Sequence, residues 1–372
     1  MSANEPQSPL GYAQAAIETM QRKYRGAELP PVKHFHYHQG VFLSGVYQSY
    51  RLNGDERYLQ YIKDWVDSNV SRSGKVLNYD RNALDDIQPG ILLFPLLEHT
   101  QDQRYRRALD ELAHDISIYP KNDEGGYWHN DRAPREMWLD GLYMGGPFMT
   151  EYGAKFNRPD LIDEATRQVE LMHKKMRVKK TGLWRHAYDP EHAQPWADRQ
   201  TGLSPEYWGR SMGWVPVAIL NELDYMPSNH PERTTLEGIV SNLLISLCEY
   251  QDEDGRWWQI VDKVGVEGNW PENSCTCLYV AGLSKAVRLG ILPTEYLTPA
   301  RQGYQGVISS LRWKEMTDAE GNTMYDLLVG DVCIGTGVGD YDFYCARPTS
   351  VNDLHGVGAF LLMCTELEMV TH

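Results

Sequence analysis

The sequence predicts an all-α fold, a closed (α/α)6 barrel of six helical hairpins formed as one domain over residues 1–372. Three observations point there. Apolar residues recur at i, i+3, i+4 spacing in segment after segment, as in Leu59, Ile62, Trp65 and Val66. Twelve such segments fit the chain, roughly 62 residues for each helical pair. A turn motif also repeats between helices: a glycine followed by an aromatic. It reads Glu124-Gly125-Gly126-Tyr127-Trp128, Lys180-Thr181-Gly182-Leu183-Trp184 and Asp254-Gly255-Arg256-Trp257-Trp258, with looser copies at 74–79 and 320–325.

The expected helices span 9–24, 38–52, 56–69, 88–100, 103–119, 136–154, 158–178, 204–223, 231–250, 272–288, 296–311 and 352–369. Glycine in each turn permits the positive φ with which a chain leaves a helix. Stacked hairpins can stay open as a solenoid or close as a ring. Closure would gather the aromatic turns on one face and build a cleft there.

Composition narrows the function classes. The formal net charge is −15, which argues against nucleic acid or an anionic membrane as partner. A small anionic ligand remains compatible, because a pocket can be locally positive on an acidic protein. The 23 Tyr and 11 Trp against 7 Phe supply flat apolar faces with polar handles, which sugar clefts use and ordinary cores use too. Residues Met1-Ser2-Ala3-Asn4-Glu5-Pro6 carry no basic n-region or apolar h-region, and no apolar run reaches membrane-span length. The six cysteines show no CxxC pair or zinc-type spacing, so reduced, mostly buried thiols in a cytoplasmic protein are expected. The composition allows either a monomer or a homodimer.

In Arg135-Glu136-Met137-Trp138-Leu139-Asp140-Gly141-Leu142-Tyr143-Met144-Gly145, Asp140 stands as the one acid of the apolar run 137–145. A carboxyl group in such surroundings is paired or stays protonated, and a protonated one can act as a general acid. The competing reading is a helix residue that reaches solvent or caps a neighbour. Asp85 and Asp86 directly precede an expected helix; one suits an N-cap, and Asp85 suits a cleft carboxylate facing Asp140. His186 follows the second aromatic turn. Trp208 and Arg210 open the next long helix, where Arg210 offers a planar fork for a carboxylate and Trp208 a stacking face. A structural ion pair and a core aromatic are their plainer roles. The alternation His34-x-His36-x-His38 has a metal reading, but it lacks an obvious carboxylate or Cys to complete a set. His38 and Gln39 are better placed as neutral hydrogen-bonding groups lining the cleft. Gly335-Thr336-Gly337-Val338-Gly339 lacks the strand-to-helix context of a phosphate loop and reads as a flexible loop near the cleft. There is no GxSxG elbow.

Three segments together carry a family resemblance: 137–144 around Asp140, 182–189 around His186, and 208–214 around Arg210. In order and spacing they resemble glycoside hydrolase family 105, the unsaturated rhamnogalacturonyl hydrolases, related to the unsaturated glucuronyl hydrolases of family 88. The resemblance runs nearly the whole chain, through 352–360. It implies a six-hairpin barrel, no metal or organic cofactor, and an oligosaccharide substrate whose non-reducing uronic acid carries a C4–C5 double bond. It also implies hydration of that bond rather than attack at the anomeric carbon by the usual two-carboxylate routes. By the same resemblance, Asp140 matches the acid/base and Asp85 the assisting carboxylate. His186, Trp208 and Arg210 match uronate-binding residues, and Met144 matches a pocket wall. Trp128, in the first aromatic turn, joins His38 and Gln39 among the expected sugar contacts. The chain departs from the family at Asn130, where a Lys is common, and at His36-Tyr37-His38-Gln39. Unsaturated galacturonyl-rhamnose is the first substrate expectation and an unsaturated glucuronyl unit the second. A sugar-binding barrel without catalysis and a conventional inverting glycosidase are the competing readings.

Overall fold

Two concentric layers of helices organise the computed structural model, which describes residues 6–371. In chain order the helices are α1 (Pro9–Lys23), α2 (Tyr37–Asn53), α3 (Glu56–Asn69), α4 (Leu93–Thr100), α5 (Gln103–Ser117), α6 (Asp140–Phe156), α7 (Pro159–Met176), α8 (Gly209–Tyr225), α9 (Arg233–Cys248), α10 (Asn273–Arg288), α11 (Leu297–Ser310), α12 (Tyr341–Cys345) and α13 (Leu354–Thr371). The one-turn α12 has no counterpart among the twelve expected segments. Residues Met1–Glu5, on which the absence of a leader was read, lie outside the described residues.

The inner ring closes on itself. Helix α2 packs on α13, α13 on α10, α10 on α8 and α8 on α6. The 3-10 turn Gln88–Leu92, which leads into α4, packs on both α6 and α2 and completes the circle. The outer helices α3, α5, α7, α9 and α11 each pack on the helix that precedes them in the ring. The sixth pair joins the two ends of the chain, α1 against α13. The result is an (α/α)6 barrel. The sequence separates the layers. Outer α5 buries one stripe, Tyr105, Ala108, Leu109, Leu112 and Ile116, while inner α10 buries nearly every residue.

The repeated turns behave alike. Gly74, Gly125, Gly182 and Gly255 all have positive φ, and Gly321 adopts the same region at the tip of a β-hairpin. Short bridges flank them: Val70 with Val76, Lys121 with Tyr127, and Arg177 with Trp184. Three two-stranded antiparallel ribbons sit among the connections. They pair β1 (Met137–Trp138) with β2 (Ala187–Tyr188), β3 (Arg312–Thr317) with β4 (Thr323–Leu328), and β5 (Val332–Cys333) with β6 (Thr349–Ser350). Ribbon β3–β4 covers α1, where Arg22 binds Asp326 at 2.6 Å. All six cysteines are free thiols, four of them buried. Among the described residues no helix is long and apolar enough to cross a membrane.

One buried acid lies where α6 and α8 meet. Glu222 is fully buried and neither carboxyl oxygen has a partner. Gly146 on α6 faces it so closely that a Cβ there would sit 2.0 Å from Oε1. Burial pushes the Glu222 carboxyl up to about 8. An unfolded Glu titrates near about 4.3. Between those values the folded chain keeps a proton that the unfolded chain has released, so stability falls as pH rises through that window. Replacing Glu222 by Gln removes this titration. Thermal denaturation at about pH 5 and about pH 8 should show Glu222→Gln gaining on the wild type at the higher pH. An equal difference at both values would show that Glu222 does not titrate in this range.

Candidate active site

The starts of three inner helices, α2, α6 and α8, meet at a cavity of about 510 Å³. Tyr37 and His38 open α2, Asp140 opens α6, and Arg210 lies in the first turn of α8. Outer helices α1, α3 and α5 are capped by the side chains of Ser8, Asp55 and Asp102. The three helices that start at the cavity, α2, α6 and α8, have no side-chain cap, nor do outer α7, α9 and α11, whereas inner α10 is capped by Glu272. The first N–H groups of α2, α6 and α8 and the positive ends of their dipoles lie at the cavity end. With Arg132 and Arg210 they bring positive charge to a cavity that also holds the carboxyls of Asp85, Glu136 and Asp140.

Asp140 lines this cavity, but its setting differs from the sequence expectation. The helix expected from 136 begins at Asp140, because Met137 and Trp138 pair with Tyr188 and Ala187 as a ribbon. That ribbon, continued by Leu139 N–H donating to the His186 carbonyl at 3.0 Å, brings His186 to Asp140. Nε2 of His186 lies 3.3 Å from Oδ2 of Asp140, without the alignment of a full hydrogen bond. Burial alone would push the Asp140 carboxyl up. His186, His129 and the helix start outweigh it, and the carboxyl sits below its ordinary value. The apolar neighbourhood therefore does not hold Asp140 protonated in the ligand-free chain.

Burial lowers the pKa of His186 against the pull of Asp140, so the imidazole is neutral near pH 7. Its Nδ1 lies 2.6 Å from the Tyr344 hydroxyl. Burial holds the Tyr344 phenol far above its usual range, so it keeps its proton and can donate. Nδ1 then accepts, and Nε2 carries the hydrogen that faces Asp140. The opposite tautomer would set a lone pair against a carboxylate.

Asp85 lies in the 3-10 turn Leu84–Asp86 and also lines the cavity. Burial raises its carboxyl pKa, opposed by His129 and His36 and assisted by Asp140. The two cavity carboxyls are thus driven in opposite directions, the arrangement that separates acid and base roles. Asp86 takes the structural part instead, accepting from Asp80 N–H at 2.7 Å and pairing with His36 at 2.7 Å.

Arg210 is almost fully buried at the cavity wall. It donates to the carbonyls of Cys333 at 2.5 Å and Ile334 at 2.8 Å, and lies over the Trp208 ring at 4.6 Å. It anchors the start of the segment Gly335–Val338, which lines the cavity near the place expected for this loop. Trp208 also lines the cavity and donates its indole N–H to Gln259 at 3.0 Å.

Four expected contacts stand elsewhere. Gln39 is fully buried and donates to the Pro31 carbonyl at 2.8 Å; one residue further along a helix points about 100° away from His38, into the core. Met144 is buried in the hydrophobic core rather than on the wall. Trp128 packs against that core, because neighbours in an extended segment face opposite sides, and the cavity receives His129 and Asn130 instead. His186 is fully buried and supports Asp140 from outside the cavity lining.

His129 and its partner Trp138 were not singled out in the sequence. Their rings stack at 4.2 Å, and His129 Nε2 lies 3.8 Å from Asp85. The aromatic-turn repeat held a signal for this place, since His129 and His186 each follow a turn by a few residues. Tyr344, Trp196 and Glu136 had no comparable signal.

Comparison with known proteins agrees with this geometry. The family model described as Glycosyl Hydrolase Family 88 matches residues 12–371. A solved structure of a family 105 glycoside hydrolase from C. acetobutylicum is 31% identical, covers 96% of this chain and 99% of its own, and superposes with a TM-score of 0.87. A possible family 105 member from Klebsiella pneumoniae has the same fold at 22% identity, with a TM-score of 0.80 over 98% of this chain and 94% of its own. The unsaturated rhamnogalacturonyl hydrolase YesR of Bacillus subtilis is 28% identical over 265 residues, 69% of this chain and 72% of its own. The chain is a glycoside hydrolase and belongs to glycosyl hydrolase family 88, alongside structures assigned to family 105.

Proposed function

We propose that the chain removes a 4,5-unsaturated uronic acid from the non-reducing end of lyase-generated oligosaccharides by hydrating the C4–C5 double bond. The observation that carries this reading is the pairing, in one cavity, of two carboxyls pushed in opposite directions beside a buried arginine and uncapped helix starts. Such a pocket suits a ring that bears both a carboxylate and a group to be protonated.

In the proposed sequence the uronate carboxylate settles toward Arg210 and the helix starts. Its charge and the loss of water raise the Asp140 pKa, so Asp140 takes up a proton in the complex. Asp140 delivers that proton to C4, and positive character develops at C5 and the ring oxygen. Water adds at C5, and Asp140, again a carboxylate, takes the proton that water releases. The product is a hemiketal at C5. It opens, and the glycosidic bond breaks as the sugar rearranges. Asp85, with His129, holds the reacting ring. His186 and Tyr344 position Asp140. Unsaturated galacturonyl-rhamnose is the preferred substrate, a choice supported by the similarity to the Bacillus enzyme.

The ultraviolet absorbance of the conjugated alkene follows this reaction directly. Wild-type protein should erase it and leave the saturated analogue intact. Asp140→Asn should lower kcat by about a thousandfold or more with little change in melting temperature. Cleavage of the saturated analogue, or near-normal kcat in Asp140→Asn, would contradict the proposal.

His186 acts through Asp140, and its removal has a signed consequence. His186 holds the Asp140 carboxyl down, so His186→Gln lets that group titrate at higher pH. The limb of kcat/KM against pH that reports Asp140 in the free enzyme should move to higher pH. A fall in rate with no movement of that limb would leave His186 with a structural role only.

A further inference from the structure

We propose that His38, Asp353 and His355 form a binding site for a divalent transition-metal cation, zinc foremost, at the edge of the cleft. The sequence places three histidines in alternation at 34–38 without a completing carboxylate. The structure divides them. His34 and His36 turn to Asp86, while His38 turns away to Asp353 and His355 at the start of α13.

The donor set has the chemistry and spacing of a cation site. Nδ1 of His38 lies 3.8 Å from Oδ1 of Asp353, and Nδ1 of His355 lies 2.9 Å from the same oxygen. All three donor atoms fall within 4.8 Å of one another. Ligands at zinc distances sit about 3.4 Å apart in a tetrahedron, so side-chain adjustments of a few tenths of an ångström would close the set. Two imidazoles with one carboxylate select a transition metal over magnesium or calcium, which prefer oxygen.

His355 supplies the independent observation. It is fully buried, and its Nε2 lies 3.0 Å from the Cys333 carbonyl, to which it can only donate. A neutral ring with Nε2 protonated leaves a lone pair on Nδ1. That atom is buried and lies 2.9 Å from the Asp353 carboxylate. A contact this close needs either a proton or a metal cation between the two groups, and a cation would also draw in His38. Imidazole fixed through its far nitrogen by a backbone carbonyl is the usual outer support of a metal-ligating histidine. The rival cluster lacks this feature, because Asp86 is satisfied by Asp80 N–H and His36, and His34 is exposed.

Asp353 supplies the negative charge that offsets the ion beside Arg210. The nearby Arg210 guanidinium is shared among two backbone carbonyls and Glu272 at 3.9 Å. His38 lines the cavity, so three protein ligands would leave a coordination position toward the cleft for water or a sugar oxygen.

The test is isothermal titration of chelator-treated, full-length protein with zinc chloride, with bound metal measured after desalting. We expect one zinc per chain at micromolar affinity or tighter. His38→Gln and Asp353→Asn should each weaken binding by about tenfold or more, and His34→Gln should leave it unchanged. Both substituted residues are partly exposed, so folding is retained; circular dichroism verifies it. Absence of binding would overturn the proposal and leave His355 as the charged partner of Asp353. Loss of binding in His34→Gln but not in His38→Gln would overturn it too, by moving the ion to the Asp86 cluster.

Discussion

The site depends on one constraint, the closure of the inner helices into a ring that brings the starts of α2, α6 and α8 together. A helix carries unpaired N–H groups and partial positive charge at its N-terminus. Spread around a surface, such ends would be unrelated. Ring closure gathers those of α2, α6 and α8 at one cavity, and their missing side-chain caps leave N–H groups uncommitted there. Arg210 adds a charge to this field and, through the Cys333 and Ile334 carbonyls, fixes the segment that forms the opposite wall.

The same placement governs the two cavity carboxyls. Asp140 is the first residue of its helix, so the helix start and His186 both favour its ionised form. Asp85, in a 3-10 turn without comparable support, is raised by burial. The ribbon β1–β2 connects these facts, because its register puts Trp138 opposite Ala187 and so sets Asp140 beside His186. In the proposed reaction, protonation of Asp140 is linked to arrival of an anionic sugar rather than built into the resting protein. That link ties acid catalysis to the presence of the substrate's carboxylate.

The barrel was legible in the sequence because helical periodicity and the glycine–aromatic turns are local signals, and both recur at the spacing of a hairpin. What the sequence concealed is topology at the seam: the last inner helix, α13, takes α1 as its outer partner, from the opposite end of the chain. Of the residues singled out in the sequence, Asp140, Asp85, Trp208, Arg210 and His38 line the cavity. Gln39, Trp128 and Met144 lie off it for geometric reasons. A step of one residue along a helix or an extended segment turns a side chain away, and one turn into α6 already lies within the core. The direction of the Asp140 shift was hidden as well, since a helix boundary displaced by four residues changes an apolar interior into a helix start. Tyr344 and Trp196 arrive from long connections whose paths no periodic pattern encodes.

The central claim is that this pocket is built around the carboxylate of the sugar ring. The most direct measurement is calorimetric binding of unsaturated galacturonyl-rhamnose to Asp140→Asn protein, compared with the methyl ester of the same sugar. Charge-assisted hydrogen bonds in a desolvated pocket should make the free acid bind about tenfold tighter or more. Equal affinity for acid and ester would contradict the account, because the helix starts and Arg210 would then have no part in recognising the substrate.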